Sequence, residues 1–546
     1  MSPTQLTRTG IIALIVAWCF DHLFWMKAPG ISFFLFVLLC LGAGAYLTWG
    51  ERQRPPWTSL AILLPALFFA ATTFLRQEPF TQFISYLLTL ACLAVLAMSW
   101  LGGQWWRYNL TGYLVNAFFL GTGMLNRPFR AYLDNREKQE TVLAPTGDAP
   151  ASTRQGMAAA PGQKTTRPVY SVLLGLLLAL PVVAVLAALL AQADPVFSNR
   201  LEIVLKFLSI EKIGEYIFRL VYILIGAYLL VGVFLYALFS SRKEKLTGQE
   251  KPWMPAFLGW LEAAIVLLSV DVLFAFFVGI QFRYFFGGQS NINVEGFTYA
   301  EYARRGFGEL VAVAAISLLL FLSLSSLTRR EQTRDRRVFS ILGIGLVALV
   351  AVILVSALDR LILYEAAYGF SRFRTYTHVF LIWLGILLFI TVALELLGRM
   401  RGFALAAALV CVGFGLSLNL VNVDAWIVRQ NVARAQQGFE LDTAYLATLS
   451  DDAVPALFEQ FHSSGIPIKI HNQIGSVLAC RAAVDRQTRQ SLSWPSFTLP
   501  RYQAERLYAS YQAELTAFPV KKGTRGWIVT VNGAEQDCWA YRALVD

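Results

Sequence analysis

Long apolar runs recur along the first 422 residues of this chain, and they constrain its fold more than any other feature. Each run holds about 18 or more mainly apolar residues, enough to cross roughly 30 Å of hydrocarbon as an α-helix. There are eleven such runs: Ile11–Met26, Ile31–Trp49, Trp57–Phe74, Phe80–Trp100, Val169–Ala191, Tyr216–Phe239, Pro255–Phe282, Phe307–Leu327, Val338–Leu358, Thr375–Leu397 and Phe403–Val421. With 56% hydrophobic and 15% charged residues, the sequence predicts an all-α polytopic membrane protein.

The distribution of Lys and Arg predicts how these spans are oriented. A twelfth candidate, Tyr108–Met124, is interrupted by two asparagines and three glycines. If it does not span, the loops on the side of the N-terminus carry 22 Lys and Arg and the opposite loops carry 11. Because cytoplasmic loops retain these residues, we expect a cytoplasmic N-terminus, an extracytoplasmic C-terminus and a place in the bacterial cytoplasmic membrane. Tyr108–Met124 is then interfacial or re-entrant.

Composition divides the chain into four parts. Residues 1–125 hold four spans and the interfacial segment, and residues 168–421 form a seven-span core. Between them, residues 126–167 are rich in Ala, Pro, Thr and Gly without a hydrophobic period, which predicts a disordered cytoplasmic linker. Residues 422–546 carry 12 Lys and Arg against 12 Asp and Glu, and a stretch of this length can form a small extracytoplasmic α+β domain.

Local patterns give this C-terminal domain its predicted elements. Leu441–Phe461 is typical of two short helices, and His471–Gln490 and Tyr502–Phe518 favour longer ones. Trp527–Tyr541 alternates apolar and polar residues around Asn532-Gly533, which indicates a β-hairpin with a type I′ turn.

Two cysteines of the domain predict a disulfide. Cys480 lies in the predicted helix and Cys538 in the hairpin, and an extracytoplasmic location would be oxidising. The other four cysteines lie in apolar spans, where small buried side chains are the simplest interpretation.

Enzyme motifs are missing from the sequence. It has no phosphate-binding loop, dinucleotide fingerprint, nucleophile elbow or HExxH helix, and its four histidines lack metal-ligand spacing. We therefore predict no catalytic residues, no metal and no cofactor. The net charge of +11 follows from the loop asymmetry, so a nucleic-acid partner has no support.

Ionisable residues inside or beside apolar spans are costly in hydrocarbon and are therefore candidate functional residues. Asp271 lies near the middle of its span, roughly 15 Å below Gln281 at the helical rise. The loop that follows begins QFRYFFGGQS and ends in YAEYARRGFGEL. The candidate site comprises Asp271, Gln281, Tyr284, Glu301, Arg304, Arg305 and Glu309.

Charge order favours a rim site at the outer membrane surface. Glu301, Arg305 and Glu309 are four residues apart and can form a ladder on one helix face. Arg304 or Arg305 could hold an anionic ligand, a lipid headgroup or an envelope protein. The alternative is a loop that only anchors the helices at the interface, and the corresponding alternative for Asp271 is a hydrogen-bonded helix contact.

Several of these segments resemble a known family. They are Asp194–Phe197, Gln281–Gly288, Tyr299–Phe307 and Asn422–Asn431 with Leu441-Asp442 and Tyr445-Leu446. Over roughly Val169–Phe461 the chain resembles a bacterial membrane family catalogued as domain of unknown function 4173. The resemblance implies a multi-pass inner-membrane protein without an established activity.

Three functions remain open. The first is a non-enzymatic protein of the lipid bilayer that transports, holds or senses a ligand at the outer face. Its C-terminal domain would then be the external contact surface. The second is a lipid-carrier-linked transferase, for which Asp21 is the acid in the first outer loop, although Asp21–Gly30 is short for that class. The third is a structural or assembly subunit of the membrane.

Overall fold

The protein is described here from a computed structural model covering residues 3–50, 53–143, 210–243, 257–287, 307–330, 332–488, 493–523 and 526–538. Within these ranges, ten helices are long and apolar enough to cross a membrane. A three-stranded antiparallel sheet lies near the C-terminus. The predicted fold class, an all-α polytopic membrane protein with a small C-terminal α+β region, is therefore confirmed.

The chain separates into two compact units. One contains Met1–Asp21 and Asn126–Val231, and the other contains His22–Leu125 and Gly232–Asp546. The helices of the membrane part are α1 (Pro3–Phe24), α2 (Ile31–Gly50), α3 (Trp57–Ala61), α4 (Leu63–Leu75), α5 (Pro79–Ser99), α6 (Leu110–Leu143), α7 (Ile210–Phe239), α8 (Trp260–Gly287), α9 (Phe307–Leu327), α10 (Thr333–Tyr368), α11 (Arg372–Leu396) and α12 (Phe403–Val421).

Ten of the eleven predicted spans coincide with these helices, and the remaining one, Val169–Ala191, lies outside the described residues. Most of Tyr108–Met124 belongs to one continuous helix, Leu110–Leu143, which differs from a re-entrant segment. The interfacial alternative stays a prediction. That helix also includes the first residues of the predicted linker. Their many helix-forming charged side chains account for the continuation. Residues 144–167 of the predicted linker lie outside the described residues.

The membrane part of the larger unit is held together by apolar packing between helices α8 to α12. Leu267 of α8, Phe321 of α9 and Leu346 of α10 are buried in one cluster with Leu388 of α11. The start of α8 is also tied to the end of α9, because the Leu258 N–H donates to the carbonyl of Leu327 at 3.2 Å. These contacts fix which helix ends lie together.

The C-terminal domain follows α12 directly. Asn422 adopts a left-handed conformation with φ of 51°, and its side chain accepts a hydrogen bond from the Ala425 N–H. Asn tolerates this conformation better than most residues, so the chain can end one helix and start the next at a single residue. The domain contains α13 (Val423–Gln436), α14 (Thr443–Ala447), α15 (Val454–Phe461), α16 (Ile468–Thr488), α17 (Leu499–Ser510) and α18 (Gln512–Leu515).

The domain has its own apolar core and a small sheet. Ile427, Leu457 and Leu478 are fully buried in that core. Strands β1 (Val520–Lys522), β2 (Trp527–Val531) and β3 (Ala534–Asp537) pair in sequence order, all antiparallel. The structure contains the predicted hairpin, with positive φ at both Asn532 and Gly533 as a type I′ turn requires. Strand β1 was missed because three residues give no readable alternation.

The structure links Cys480 of α16 to Cys538, immediately after β3, as a disulfide, with 5.8 Å between the Cα atoms. This is the pairing expected from the sequence. It ties the last strand of the sheet to the longest helix of the domain.

Four connectors meet the C-terminal domain at the same end of the membrane helices. The Ile31 N–H at the start of α2 donates to the Phe497 carbonyl at 2.9 Å. Residues 76–78 and 369–371 contact the domain through Asp452 and Asn431, as detailed below. The fourth connector is Asn422 itself. The opposite ends of these helices therefore lie away from the C-terminal domain.

Candidate functional site

The structure separates the described members of the sequence-predicted site. Asp271 is half-buried in α8, where its Oδ2 lies 3.5 Å from the position a Cβ would take at Gly345 of α10. Among the described residues, no donor reaches its Oδ1. Gln281 is buried, and its amide oxygen accepts from Ser356 at 3.2 Å and from Arg360 at 3.3 Å.

Glu309 is exposed in the first turn of α9. No contact joins Asp271, Gln281 and Glu309 in the described part of the chain. Asp271 lies beside Gly345 of α10 and Gln281 beside Ser356 of the same helix. These two positions are roughly 16 Å apart at the helical rise. Tyr284 lies in the last turn of α8. Its side chain, together with Glu301, Arg304 and Arg305, lies outside the described residues, so the charged ladder stays a prediction.

A different group of polar side chains converges under the C-terminal domain. We name it the junction cluster, and it consists of Arg76, Glu78, Arg372, Tyr376, Asp424 and Asp452. All six lie within the larger unit and come from three membrane helix ends and two segments of the domain.

Arg372 joins the first turn of α11 to the first turn of α13. Its Nε and Nη2 donate to the two carboxylate oxygens of Asp424 at 2.7 and 2.6 Å. Asp424 is fully buried, and its Oδ2 also accepts from the Ser450 N–H at 2.6 Å. Two parallel bonds between a guanidinium and a carboxylate fix orientation as well as distance. The hydroxyl of Tyr445 accepts from the Arg372 N–H at 2.7 Å and completes this contact.

Glu78 supplies a second buried carboxylate and belongs to the membrane part. As N-cap of α5, it accepts from the Phe80 N–H at 3.0 Å and the Thr81 N–H at 2.7 Å. The hydroxyl of Tyr376 donates to its Oε1, and the Nε of Arg372 lies 3.8 Å from the same oxygen. The start of α5 is therefore attached to the start of α11, and a helix N-terminus is a favourable place for this negative charge.

Asp452 supplies the third carboxylate, from a one-turn 3₁₀ helix of the domain. Its Oδ2 accepts from the backbone N–H groups of Gln77 and Glu78 at 2.6 and 2.9 Å. Arg76 lies 3.7 Å from its other oxygen and donates through Nε to the Asn419 carbonyl at 2.9 Å. The connector between α4 and α5 is thus held by a side chain of the C-terminal domain.

Burial raises the pKa of Asp452 from 3.8 to about 6. The N–H of Gln77 and the positive charge of Arg76 oppose this rise, while the nearby Asp424 adds to it. Removal of water penalises the charged form more than these partners favour it. The charge of Asp452 therefore depends on pH near neutrality.

Further backbone contacts extend the junction beyond the charged side chains. Asn431 of α13 accepts from the Phe370 N–H at 2.8 Å and donates to the Phe370 carbonyl at 2.9 Å. Arg434, one turn later, donates to the carbonyl of Ala367 at 2.7 Å, at the end of α10. Gly369 has φ of 80°, and a Cβ there would lie 2.8 Å from the Asn431 amide oxygen. The connector between α10 and α11 is therefore shaped to receive α13.

Chemically, the junction cluster is an arrangement of satisfied hydrogen bonds. Three carboxylates face two guanidiniums, a tyrosine hydroxyl and backbone N–H groups, and each carboxylate has at least two donors. Such an arrangement fixes the domain on the helices. In the described residues, no group of three or more His, Cys, Asp or Glu side chains could hold a metal ion.

Sequence reasoning missed the junction cluster, although two signals pointed toward it. Asp424 and Tyr445 belong to the segments that carry the family resemblance, where a buried acid directly after a span is unusual. Glu78 followed by proline is typical of a helix start. The third acid, Asp452, has no comparable signal, because the aspartate pair at residues 451–452 is typical of an ordinary helix cap.

Two further acids of the membrane helices are paired. Asp21 is buried in the smaller unit, where the guanidinium of Arg219 donates to both its oxygens and the hydroxyl of Tyr222 donates to Oδ1. Glu395, at the end of α11, accepts from Arg330 at 3.0 Å and from Ser340 at 2.7 Å. Both acids therefore have strong donors.

The helices and the junction cluster define a multi-pass membrane protein with a docked C-terminal domain. The chain belongs to the family described as Domain of unknown function (DUF4153), which matches residues 63–460. This range includes every member of the junction cluster. The number differs from the resemblance to family 4173, while the implied character, a multi-pass family of unknown function, is compatible with the match. No curated protein and no solved structure matches the chain.

Proposed function

We propose that this protein is a non-enzymatic recognition or sensing protein of the bacterial cytoplasmic membrane. Its C-terminal domain binds a partner on the outer side of this membrane. The junction cluster transmits that binding to the membrane helices. The N-terminus is cytoplasmic in this proposal. The partner is an anionic ligand, a lipid headgroup or an envelope protein.

The observation that carries the proposal is the pairing of Arg372 with Asp424. Breaking a buried ion pair by removing one partner costs about 3–5 kcal/mol, because the other charge stays buried without compensation. A domain held in this way does not behave as a loosely tethered module. A force or a shape change at its surface must therefore reach the starts of α5 and α11.

Transport through Asp271 is less well supported. The described candidates Asp271, Gln281 and Glu309 lie apart from one another, whereas a substrate pathway requires polar groups that converge. A rim site at Arg304 and Arg305 is compatible with the proposal, because the distribution of Lys and Arg predicts that their loop lies at the outer face.

The transferase alternative depends on Asp21 as a base or metal ligand. Its bidentate pairing with Arg219 occupies both carboxylate oxygens and favours a structural role, because two parallel bonds to a guanidinium fix the carboxylate in place. A structural or assembly subunit remains the second candidate, because a docked domain without a signalling role would show the same contacts.

The test compares two acid-to-amide variants of the same domain. Asp424→Asn removes the buried charge opposite Arg372, and Glu459→Gln is the matched control, because Glu459 is 55% exposed in a surface pair with Arg429. Amide hydrogen exchange is measured on the purified full chain for a peptide containing Gln77 and Glu78. We expect at least tenfold faster exchange in Asp424→Asn and no change in Glu459→Gln.

The same variants are then expressed in a strain that lacks the chromosomal copy, scored for growth under envelope stress. We expect Glu459→Gln and Asp271→Asn to restore growth, and Asp424→Asn to fail at equal membrane abundance. Rescue by a chain ending at residue 421 would refute a recognition role for the domain. Failure of Asp271→Asn together with rescue by Asp424→Asn would favour transport, and failure of Asp21→Asn alone would favour the transferase.

A further inference from the structure

A groove between α2 and α4 opens at the membrane end opposite the C-terminal domain. Its volume is about 860 Å³. The apolar lining includes Leu38 and Leu41 of α2 and Leu63 and Leu67 of α4. The mouth is polar and aromatic, with Trp49, Gln53, Arg54 and Trp100.

We propose that this groove is a binding site for one glycerophospholipid, with an acyl chain along α2 and α4 and the phosphate on Arg54. The groove follows α2 from Leu38 to Trp49, which is roughly 16 Å at the helical rise. This length corresponds to one leaflet, because half of the hydrocarbon core is about 15 Å thick. The shape therefore fits a chain that enters from one membrane surface and ends near the midplane.

Charge at the mouth selects the headgroup. Arg54 is exposed, and in the described part of the chain no carboxylate pairs with it. Its guanidinium presents a fork of donors that matches phosphate oxygens. Next to it, the side-chain oxygen of Gln53 is buried and accepts no hydrogen bond from a described residue. A headgroup hydroxyl or ammonium can donate to this oxygen while the phosphate binds Arg54.

The walls of the mouth are fixed before any lipid arrives. The indole N–H of Trp100 donates to the hydroxyl of Thr48 at 2.8 Å, and that hydroxyl donates to the Gly44 carbonyl at 2.6 Å. Trp49 is 84% exposed, and tryptophan favours the depth of the lipid headgroups. Among the described residues, this open groove has one acceptor and one cation without partners, and a bound phospholipid would supply a partner for both.

Two matched pairs of single variants and one charge-conserving variant test the proposal. Arg54→Ala removes the cation at the mouth, and Arg107→Ala removes an exposed cation outside the groove that stacks on Trp106. Gly42→Leu fills the groove, since a Cβ at Gly42 meets nothing within 4 Å. Gly121→Leu is its control, because Gly121 on α6 is equally open. Arg54→Lys keeps the positive charge.

The full chain is purified in mild detergent, incubated with dioleoyl phosphatidylglycerol and measured by native mass spectrometry. We expect one retained lipid per chain for the wild type, Arg107→Ala and Gly121→Leu. Arg54→Ala and Gly42→Leu should retain at least fivefold less, and Arg54→Lys an intermediate amount. Dioleoylglycerol, which lacks the phosphate, and glycerol 3-phosphate, which lacks the chains, should both bind at least fivefold more weakly.

Wild-type retention in both Arg54→Ala and Gly42→Leu would overturn the proposal, as would equal binding of dioleoylglycerol. Thermal unfolding of each variant identifies any that fails to fold. Arg54→Ala changes the mouth of the groove and Gly42→Leu its apolar part, so the two variants test the site independently. The same measurement with phosphatidylethanolamine compares headgroup donors, because its headgroup carries an ammonium where phosphatidylglycerol carries hydroxyls. The better retained lipid identifies the group that donates to Gln53. Retention of either lipid supports a phospholipid site.

Discussion

The guanidinium of Arg372 and the carboxylate of Asp424 are joined by two parallel hydrogen bonds of 2.7 and 2.6 Å across the boundary between the membrane helices and the C-terminal domain. Arg372 begins a membrane helix, and Asp424 lies two residues after Asn422, where the chain leaves the membrane. This pair therefore connects two points that are about 50 residues apart in sequence. It makes the domain part of the same folded body as the helices.

Replacing Arg372 should destabilise the protein more than replacing a surface arginine. Arg372→Met leaves Asp424 buried with an uncompensated charge, so we expect a loss of about 3–5 kcal/mol. Arg429→Met is the control, since the Arg429 side chain is 51% exposed and its pair with Glu459 is worth at most about 1 kcal/mol. Chemical unfolding of the domain, followed by tryptophan fluorescence in detergent, measures both. Equal losses in the two variants would contradict a buried pair.

Asp452 should make stability depend on pH in an identifiable window. Because its folded pKa of about 6 lies above the unfolded value of 3.8, the folded state holds a proton between these values that the unfolded state lacks. Stability attributable to Asp452 therefore falls as pH rises from about 4 to 6, by up to roughly 3 kcal/mol, and is constant above that window.

The measurement is the difference in unfolding free energy between wild type and Asp452→Asn from pH 4 to 8. Taking the difference removes the contribution of carboxylates that do not interact with Asp452. We expect the unfolding free energy of wild type to fall relative to that of Asp452→Asn as pH rises to 6.5. Above pH 6.5 the difference between the two should stay constant. A difference that stays constant across the whole range would show that Asp452 has an ordinary pKa in the folded protein.

The apolar spans were predictable because each carries its own signal. A run such as Phe403–Val421 must be buried in lipid or in protein, and its length fits a membrane. The same holds for the hairpin at Asn532-Gly533, whose turn residues specify a local geometry. Both inferences need only neighbouring residues.

The junction cluster could not be predicted in this way, because its members are far apart in sequence. Glu78 and Tyr376 are 298 residues apart, and they meet only because α5 and α11 both pack against α12. Charge reasoning favoured Asp271 because a carboxylate in a span is unusual. A single sequence does not reveal whether such a carboxylate meets partners, and in the structure Asp271 and Glu309 do not contact each other. A charged residue at the end of a span can pair with another charge at the membrane surface, as Glu395 and Arg330 do.

The disulfide between Cys480 and Cys538 should stabilise the C-terminal domain. It closes a loop with a sequence separation of 58 residues, for which the loss of chain entropy in the unfolded state corresponds to about 2–4 kcal/mol. We expect Cys480→Ala with Cys538→Ala to lower the urea midpoint of the domain, and a reducing agent to do the same to wild type. Cys411→Ala, at a free cysteine on α12, is the control. An unchanged midpoint after reduction would contradict a bond in the native protein.

Close packing between α11 and α12 should make Gly413 intolerant of a side chain. A Cβ at Gly413 would lie 2.0 Å from the ring of Trp383, whose indole N–H donates to Ser417 at 3.0 Å. Gly413→Ala must therefore displace the ring and break this bond, with a loss of about 1–3 kcal/mol. Gly121→Ala, at an open position, should be neutral. Thermal unfolding in detergent compares the two, and equal midpoints would indicate that the helices are less closely packed.

The proposed orientation predicts which side of the membrane each helix end faces. Lys469 is exposed on the C-terminal domain, and Gln332 is exposed just before α10, at the opposite end of the helices. In a chain whose four free cysteines are replaced by alanine, Lys469→Cys should react with an impermeant maleimide after the outer membrane is permeabilised. Gln332→Cys should react only after the inner membrane is opened, because arginine-rich loops stay in the cytoplasm. Labelling of Gln332→Cys but not Lys469→Cys in intact inner membranes would reverse the orientation. It would also place the disulfide in a reducing compartment, so this outcome would remove the external role proposed for the domain.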